Sequence, residues 1–237
     1  MSGDKTYSHF GDLGDTIAAL CTIRQLGPGE LVLYPGPGRV REPYHAAKVE
    51  RVRDFFEAQE YITRVSFEEQ PRGLILDHWR DKYRKGMNLA DMVCSAFNVP
   101  HWPREQPWAT VDKPYRVAPV VMHRSLRYHS RQKFPWKKIV RRWSSQAVFV
   151  GAEEEHKSFV WQFGFVPHYP TPTLLDLARV IAGADLMVGN QSTPAMLAEA
   201  LKRPRWLERS LRHDNCHFER PTAWYGLVGP PDGIVKT

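Results

Sequence analysis

Residues 184–204 read Ala184-Asp-Leu-Met-Val-Gly-Asn-Gln-Ser-Thr-Pro-Ala-Met-Leu-Ala-Glu-Ala-Leu-Lys-Arg-Pro204. Asp185–Val188 is a short apolar strand. Gly189–Thr193 is a tight polar turn, and Pro194–Leu201 is a helix with proline in its first turn, where a missing N–H costs nothing. Ser192 or Thr193 is the natural N-cap. A strand that ends in a polar turn and opens a helix aims free backbone N–H groups and a positive dipole end at one point, which suits a phosphate. Gln191, Ser192 and Thr193 are the turn residues placed to make that grip. An ordinary capped β-turn-α connection has the same pattern, so the rest of the chain has to decide between the two.

On either side of this stretch, strands and helices alternate. Lys5–Phe10 is a weak strand leading into Gly11-Asp12-Leu13-Gly14-Asp15. Thr16–Gln25 has helical spacing, and Leu31–Tyr34 is a strand ending in Pro35-Gly36-Pro37-Gly38. That loop lacks the GxGxxG and the Lys-Ser/Thr of phosphate loops and reads as a rigid turn. Tyr44–Ala58 is a charged amphipathic helix, Ile62–Phe67 and Gly73–Trp79 are strands, and Asn88–Phe97 is a helix. His101–Pro114 holds three prolines and two tryptophans without periodicity and closes a first α/β half. The second half runs from the strand Val117–Met122 through the helix Trp136–Trp143 and the strand Ala147–Val150. The helices Glu153–Phe163 and Thr173–Ala182 follow, then the opening unit and a last strand at Arg205–Leu207. The alternation predicts parallel sheets with helices on both faces, in two domains, 1–115 and 116–237. Two such halves leave a cleft, with ligands outside the carboxyl ends of the strands.

Hydrophobic residues make up 42% of the 237, enough for a core, and no apolar run reaches the ~18 residues of a membrane span. The N-terminus lacks a signal-peptide pattern, so no integral membrane contact is expected. Cys21, Cys94 and Cys216 form neither a CxxC nor a metal spacing, which fits reduced thiols in a cytoplasmic setting. His213 and His217 flank Cys216 in a metal-like cluster with no fourth ligand nearby, so no metal is expected. The net charge of +7 is uneven: ten Lys/Arg and no Asp/Glu fall between Lys113 and Ala152, leaving 23 basic against 26 acidic residues elsewhere. Such a segment is a contact for phosphates of a nucleotide, a nucleic acid or an anionic lipid headgroup.

Two motifs carry a resemblance. Leu13-Gly14-Asp15 opens the first helix, and Val188–Leu197 (VGNQSTPAML) opens a late one. Between them Lys133-Phe134-Pro135-Trp136 precedes a helix, and Val148–Glu154 (VFVGAEE) ends a strand in a small turn with a glutamate. In this order they resemble the heptosyltransferase-like glycosyltransferases, the ADP-heptose:lipopolysaccharide family. The resemblance implies a GT-B architecture: two Rossmann-like domains, mainly parallel sheets facing a cleft, and a sugar nucleotide held mainly by the C-terminal one. It also implies hexosyl- or heptosyl-type transfer with no metal and no cofactor beyond the nucleotide-sugar co-substrate. The family's catalytic base falls on Asp15, beside Gly14. A carboxylate is what an attacking acceptor hydroxyl needs to take up its proton, although Asp15 also suits a helix cap. The family's phosphate-neutralising lysine falls on Lys133, with Arg131 beside it. Its Asp-Thr-Gly-x-x-His falls on Gln191–Met196, which keeps the hydroxyl as Ser192 and replaces the acid and the histidine.

His123, Arg124 and Arg127 follow a strand and are further anion contacts. Glu154 follows another and could bond a sugar or ribose hydroxyl. The expected function is a metal-independent glycosyltransferase with Asp15 as base. Its acceptor is either a glycolipid or saccharide, or a hydroxymethylated base in DNA, for which the basic segment and Tyr115, Tyr128, Phe134, Trp136 and Trp143 would serve. The competing reading is a non-catalytic nucleotide- or nucleic-acid-binding module with a GT-B-like shell. Oligomeric state is not legible.

Overall fold

The computed structural model describes residues 5–37, 43–82, 84–130, 134–210 and 213–235. The chain divides into two compact units: residues 1–111 with 173–175, and residues 112–172 with 176–237.

In the first unit the elements run β1 (Lys5–His9), α1 (Leu13–Leu26), β2 (Gly29–Leu33), α2 (Ala46–Glu57), β3 (Ile62–Phe67), β4 (Leu74–Ile75) and α3 (Leu89–Ala96). The four strands form one parallel sheet in the order β3-β2-β1-β4. Helix α1 is apolar nearly all round, and Thr16 to Ile23 are all buried. A helix of that composition is an interior element. It packs on α3, which Asn88 caps by accepting from the Asp91 N–H at 3.0 Å. The stretch 73–79 is not one strand as its apolar residues suggested. Only Leu74 and Ile75 pair with β1, and Leu76–Lys82 then coils into a 3₁₀ turn that buries Asp77 and Trp79. The proline-rich segment after α3 is anchored through Trp108, which is buried and whose indole N–H donates to the Ile17 carbonyl at 2.9 Å. Cys21 and Cys94, far apart in sequence, lie with their sulfurs 3.7 Å apart between α1 and α3.

In the second unit the order is β5 (Val120–Met122), α4 (Trp136–Trp143), β6 (Ala147–Phe149), α5 (Glu153–Phe163), α6 (Leu174–Gly183), β7 (Leu186–Asn190), α7 (Thr193–Ala200), β8 (Arg205–Glu208) and β9 (Ala223–Tyr225). All five strands are parallel, in the order β6-β5-β7-β8-β9. Trp136, Trp143, Phe149, Phe159 and Trp206 fill one face of this sheet. Strand β9 has no counterpart in the sequence reading. Its three residues, Ala223–Tyr225, are half-buried.

Strand β7 runs two residues beyond the apolar Leu186–Val188 and takes in Gly189 and Asn190, leaving Gln191 and Ser192 as the turn. Gly189 pairs with Leu207, and a Cβ on it would stand 2.8 Å from the His123 carbonyl oxygen. Only glycine lets β5 and β7 close at this level.

The segment between α7 and β9 is tied down by a buried ion cluster. Glu199 in α7 accepts from Arg205 Nη1 at 2.6 Å, from Arg220 Nε at 3.0 Å, and from Lys202. Arg205 also reaches the Tyr225 hydroxyl at 2.6 Å, and Arg220 the Arg203 carbonyl at 2.5 Å.

Candidate functional site

In each sheet the strand order reverses once, and the crevice at that reversal, outside the carboxyl ends of the strands, is where open α/β sheets hold ligands. In the first unit the reversal falls between β1 and β4. The chain leaving β1 makes the tight turn Phe10–Asp12 and enters α1, with Asp15 third in the helix. No side chain caps that N-terminus. The Asp15 side chain is 23% exposed, and its Oδ2 accepts from Arg80 Nη2 at 2.6 Å. Burial pushes its carboxyl above the usual range, while Arg80 and His9 pull the other way.

Arg80 comes from the 3₁₀ turn after β4. It lies over the rings of Trp79 and Phe10, at 4.5 and 5.4 Å, and its Nε stands 3.5 Å from Asp77 Oδ1. Asp77 also accepts the Phe10 N–H at 2.8 Å. His9, fully buried, takes the Gly11 N–H on Nδ1 at 3.0 Å, which leaves its proton on Nε2, 3.6 Å from Asp77. Burial holds the imidazole below its ordinary pKa. Asp77 and Arg80 therefore fix the position of Asp15, and neither was singled out from sequence. Asp77 falls where a longer strand, Gly73–Trp79, was expected, and Arg80 just past its end reads as an ordinary surface charge.

In the second unit the reversal falls between β5 and β7. Asn190, fully buried at the end of β7, binds the loop that leaves β5. Its Oδ1 accepts from the Ser125 N–H at 3.0 Å, and its Nδ2 donates to the Arg127 carbonyl at 2.6 Å and the Ser125 carbonyl at 3.2 Å. Asn190 is a site-building residue that sequence reading placed only in a turn. Beside it, the Gln191 side-chain amide donates to the His213 carbonyl, and its Oε1 is buried without a donor among the described residues. Ser192 is the N-cap residue of α7, but its hydroxyl donates to the Asn190 carbonyl at 3.0 Å and does not cap. Thr193 is the first helical residue. The N–H groups at the start of α7 are thus without a side-chain cap, the property that fits an anion.

The other anticipated residues divide. His123 donates from Nδ1 to the Val150 carbonyl at 2.8 Å, and burial lowers its pKa against the pull of Glu155. Arg124 is 10% exposed and held by Glu208 at 2.7 and 3.2 Å. Glu208 also accepts from the Trp136 indole at 2.9 Å and the Ser130 N–H at 2.9 Å. Arg124 is therefore a cation of the fold in this arrangement. Arg127 lies over the Tyr128 ring at 5.2 Å, and Tyr128 meets His213 edge-on at 4.6 Å. Glu154 is exposed in the first turn of α5. Gly14 is in the first turn of α1. Arg131 and Lys133 lie outside the described residues.

Trp136 and Trp143 are buried in the core, Phe134 packs on Trp136 and Trp206, and Tyr115 stacks with Arg179. Phe134, Trp136 and Trp143 are therefore committed to packing, while Tyr115 stays 38% exposed beside Arg179 and Tyr128 is half-buried between Arg127 and His213. Arg220 pairs with Glu199 and not with the neighbouring Glu219. Among the described residues, no group of three or more His, Cys, Asp or Glu side chains could hold a metal ion, the His213–His217 cluster included. None of the described helices is long and apolar enough to cross a membrane.

No protein-family model and no curated protein matches the sequence. Solved structures do match, over nearly the whole chain. Escherichia coli heptosyltransferase WaaC with ADP aligns at a TM-score of 0.62 and 13% identity, covering 95% of this chain and 93% of that one. The fold is heptosyltransferase-like. The family 9 glycosyl transferase of Veillonella parvula aligns at 0.57 and 11% identity, covering 86% of this chain and 80% of that one. E. coli ADP-heptose lipopolysaccharide heptosyltransferase II aligns at 0.55 and 12%, covering 93% and 89%. The architecture is therefore the α/β, two-sheet GT-B type expected from the two short motifs.

Proposed function

We propose that this chain is a glycosyltransferase that moves a sugar from a nucleotide-sugar donor to an acceptor hydroxyl, with Asp15 as general base. The observation that carries the reading is Asp15 itself: a partly buried carboxylate at the strand-order reversal of the first sheet, held in place by Arg80. A base in that setting takes the acceptor proton as the oxygen attacks the anomeric carbon and the nucleoside diphosphate departs. The departing diphosphate gains charge, and the start of α7, with Ser192 and Thr193, offers N–H groups and a dipole to meet it. Lys133 and Arg131 would add cations there by resemblance. Gln191 presents a neutral amide in that turn. E. coli heptosyltransferase WaaC is solved with ADP and with ADP-2-deoxy-2-fluoro heptose, which supports a nucleotide-sugar donor. For the acceptor we favour a saccharide or glycolipid hydroxyl over a base in DNA, because Phe134, Trp136 and Trp143, three of the five aromatics that would have stacked on bases, are packed in the fold.

The test begins with a thermal-shift panel of sugar nucleotides and nucleoside diphosphates, since a bound ligand raises stability by mass action. The donor so identified is then offered saccharide, glycolipid and hydroxymethylated-DNA acceptors. Asp15→Asn is expected to lower turnover by about 10²–10⁴-fold and leave donor affinity within a few-fold. Undiminished transfer by that variant would remove Asp15 from the chemistry. Donor binding without transfer to any acceptor would favour the non-catalytic module.

A further inference from the structure

Cys21 in α1 and Cys94 in α3 are 73 residues apart in the chain, yet their sulfurs stand 3.7 Å apart in the interior of the first unit. A disulfide bond is about 2.05 Å long. The two helices already pack on each other, so closing that gap takes side-chain rotation and a small shift, with no change to the sheet.

The two thiols have different surroundings. The Cys21 S–H is shared between the Ala18 carbonyl at 3.1 Å and the Cys94 sulfur. Cys94 collects further donors. The buried Thr22 hydroxyl reaches its sulfur at 3.4 Å, the Gln25 side-chain amide reaches it at 3.5 Å, and the Trp102 backbone N–H also points at it. An inert core thiol sits among apolar groups; donors converging on one sulfur favour its thiolate, the reactive form. The bonds from Cys21, Thr22 and Trp102 bring the Cys94 thiol down to about 7 against the effect of burial, while burial pushes Cys21 well up. Asp91 opposes a negative charge on either sulfur, but Arg104 holds it through bonds of 2.6 and 3.1 Å.

Both sulfurs are buried, and Gln25 marks the way in. The amide that bonds Cys94 also donates to the Pro100 carbonyl at 3.0 Å, and that bond is exposed. One half-buried side chain thus bridges the Cys94 sulfur and the surface, and its displacement admits a molecule the size of a peroxide.

We propose that Cys94 and Cys21 are an oxidisable pair that hydrogen peroxide closes into a disulfide between α3 and α1. The Cys94 thiolate attacks one peroxide oxygen, the O–O bond breaks and hydroxide leaves, giving Cys94 sulfenic acid. The Cys21 sulfur then attacks the Cys94 sulfur, the S–O bond breaks, and the departing hydroxide takes the Cys21 proton and leaves as water. The two sulfurs give up two electrons, which the peroxide takes. The chemistry uses none of the groups proposed for sugar transfer, and its test needs no substrate.

The Cys216→Ser chain, which keeps only this pair, is treated with dilute hydrogen peroxide at pH 7, quenched with catalase, and weighed intact after alkylation in denaturant. The expected product is about 2 Da lighter than the reduced chain and takes up no alkylating reagent. Dithiothreitol restores both thiols, and the oxidised chain melts several degrees above the reduced one. Thr22→Val keeps the shape of the side chain and removes a donor, so closure should slow about threefold or more. Cys21→Ala should stop at the sulfenic or sulfinic acid, about 16 or 32 Da heavier. Matching circular dichroism of the reduced chains confirms that the variants fold, and the first two measurements decide the matter without Cys21→Ala. A chain that keeps both thiols, gains oxygen without forming the bond, or forms it only between molecules overturns the proposal. So does an undiminished rate in Thr22→Val.

Discussion

Asn190→Ala should loosen the second half-site and leave the sheet standing. The amide is fully buried and ties β7 to the loop that follows β5. Alanine leaves the Ser125 N–H without its acceptor, while the Arg127 carbonyl keeps the Ser125 hydroxyl at 3.2 Å. An unsatisfied buried polar group costs about 1–3 kcal/mol, and about 2 kcal/mol in a unit of this size is a fall of roughly 5–10 °C in melting temperature. The loop carries Arg127, so the same change should reach the ligand. If about half of the lost energy appears as the cost of ordering the loop on binding, nucleoside diphosphate affinity drops about fivefold. Scanning calorimetry and titration calorimetry measure the two effects. Asn190→Asp is the stricter test. It keeps the acceptor for Ser125 N–H but turns the donating nitrogen into an oxygen facing two carbonyls. It should be at least as damaging as alanine. A stable Asn190→Asp, or an alanine variant melting within a few degrees of the parent, would show that the loop is held by something else.

Glu199→Ala should cost about 3–5 kcal/mol, because removing one partner leaves buried charges uncompensated; chemical denaturation followed by tryptophan fluorescence would read it. Burial holds His9, His123 and His217 below the ordinary value of 6.5, His217 at about 4. A group with a depressed folded pKa gives stability that is present above its unfolded value and lost as pH falls. Melting temperature should therefore be level above about pH 7 and drop between about 6.5 and 4, and less steeply in His217→Gln. Asp15 works the other way: its raised carboxyl pKa means that ionisation opposes folding, so Asp15→Asn should melt slightly higher than the parent at pH 8 while losing transfer.

Much of the architecture is legible in the sequence because it depends on local pattern. Ile62–Phe67, Trp136–Trp143 and Glu153–Phe163 appear with the bounds their periodicity implies. The misses occur where a distant partner overrides local chemistry. Asn190 reads as a turn residue, yet it ends a strand because a loop 65 residues away satisfies its amide. Leu76–Lys82 reads partly as strand, yet Asp77 is drawn inward by the Phe10 N–H. Arg205 looks like a solvent-side charge on a short strand and is 1% exposed, since Glu199 neutralises it. At the candidate site the short motifs led to Asp15 and the start of α7. Arg80, Asp77 and Asn190 carry no motif, and only the folded contacts single them out.

The cluster around Glu199 also sets an order of events during synthesis. When α7 leaves the ribosome, its glutamate has a neutralising neighbour only in Lys202, three residues on. Arg205 follows soon after, but Arg220 and the Tyr225 hydroxyl arrive some twenty residues later. At typical elongation rates that interval is about 1–4 s. Until then a helix that must lie inside the protein carries a charge only partly met. Completion of the second sheet is thus deferred until Arg220 and Tyr225 have been made. A nascent chain stalled before Arg220 would hold α7 open to proteases.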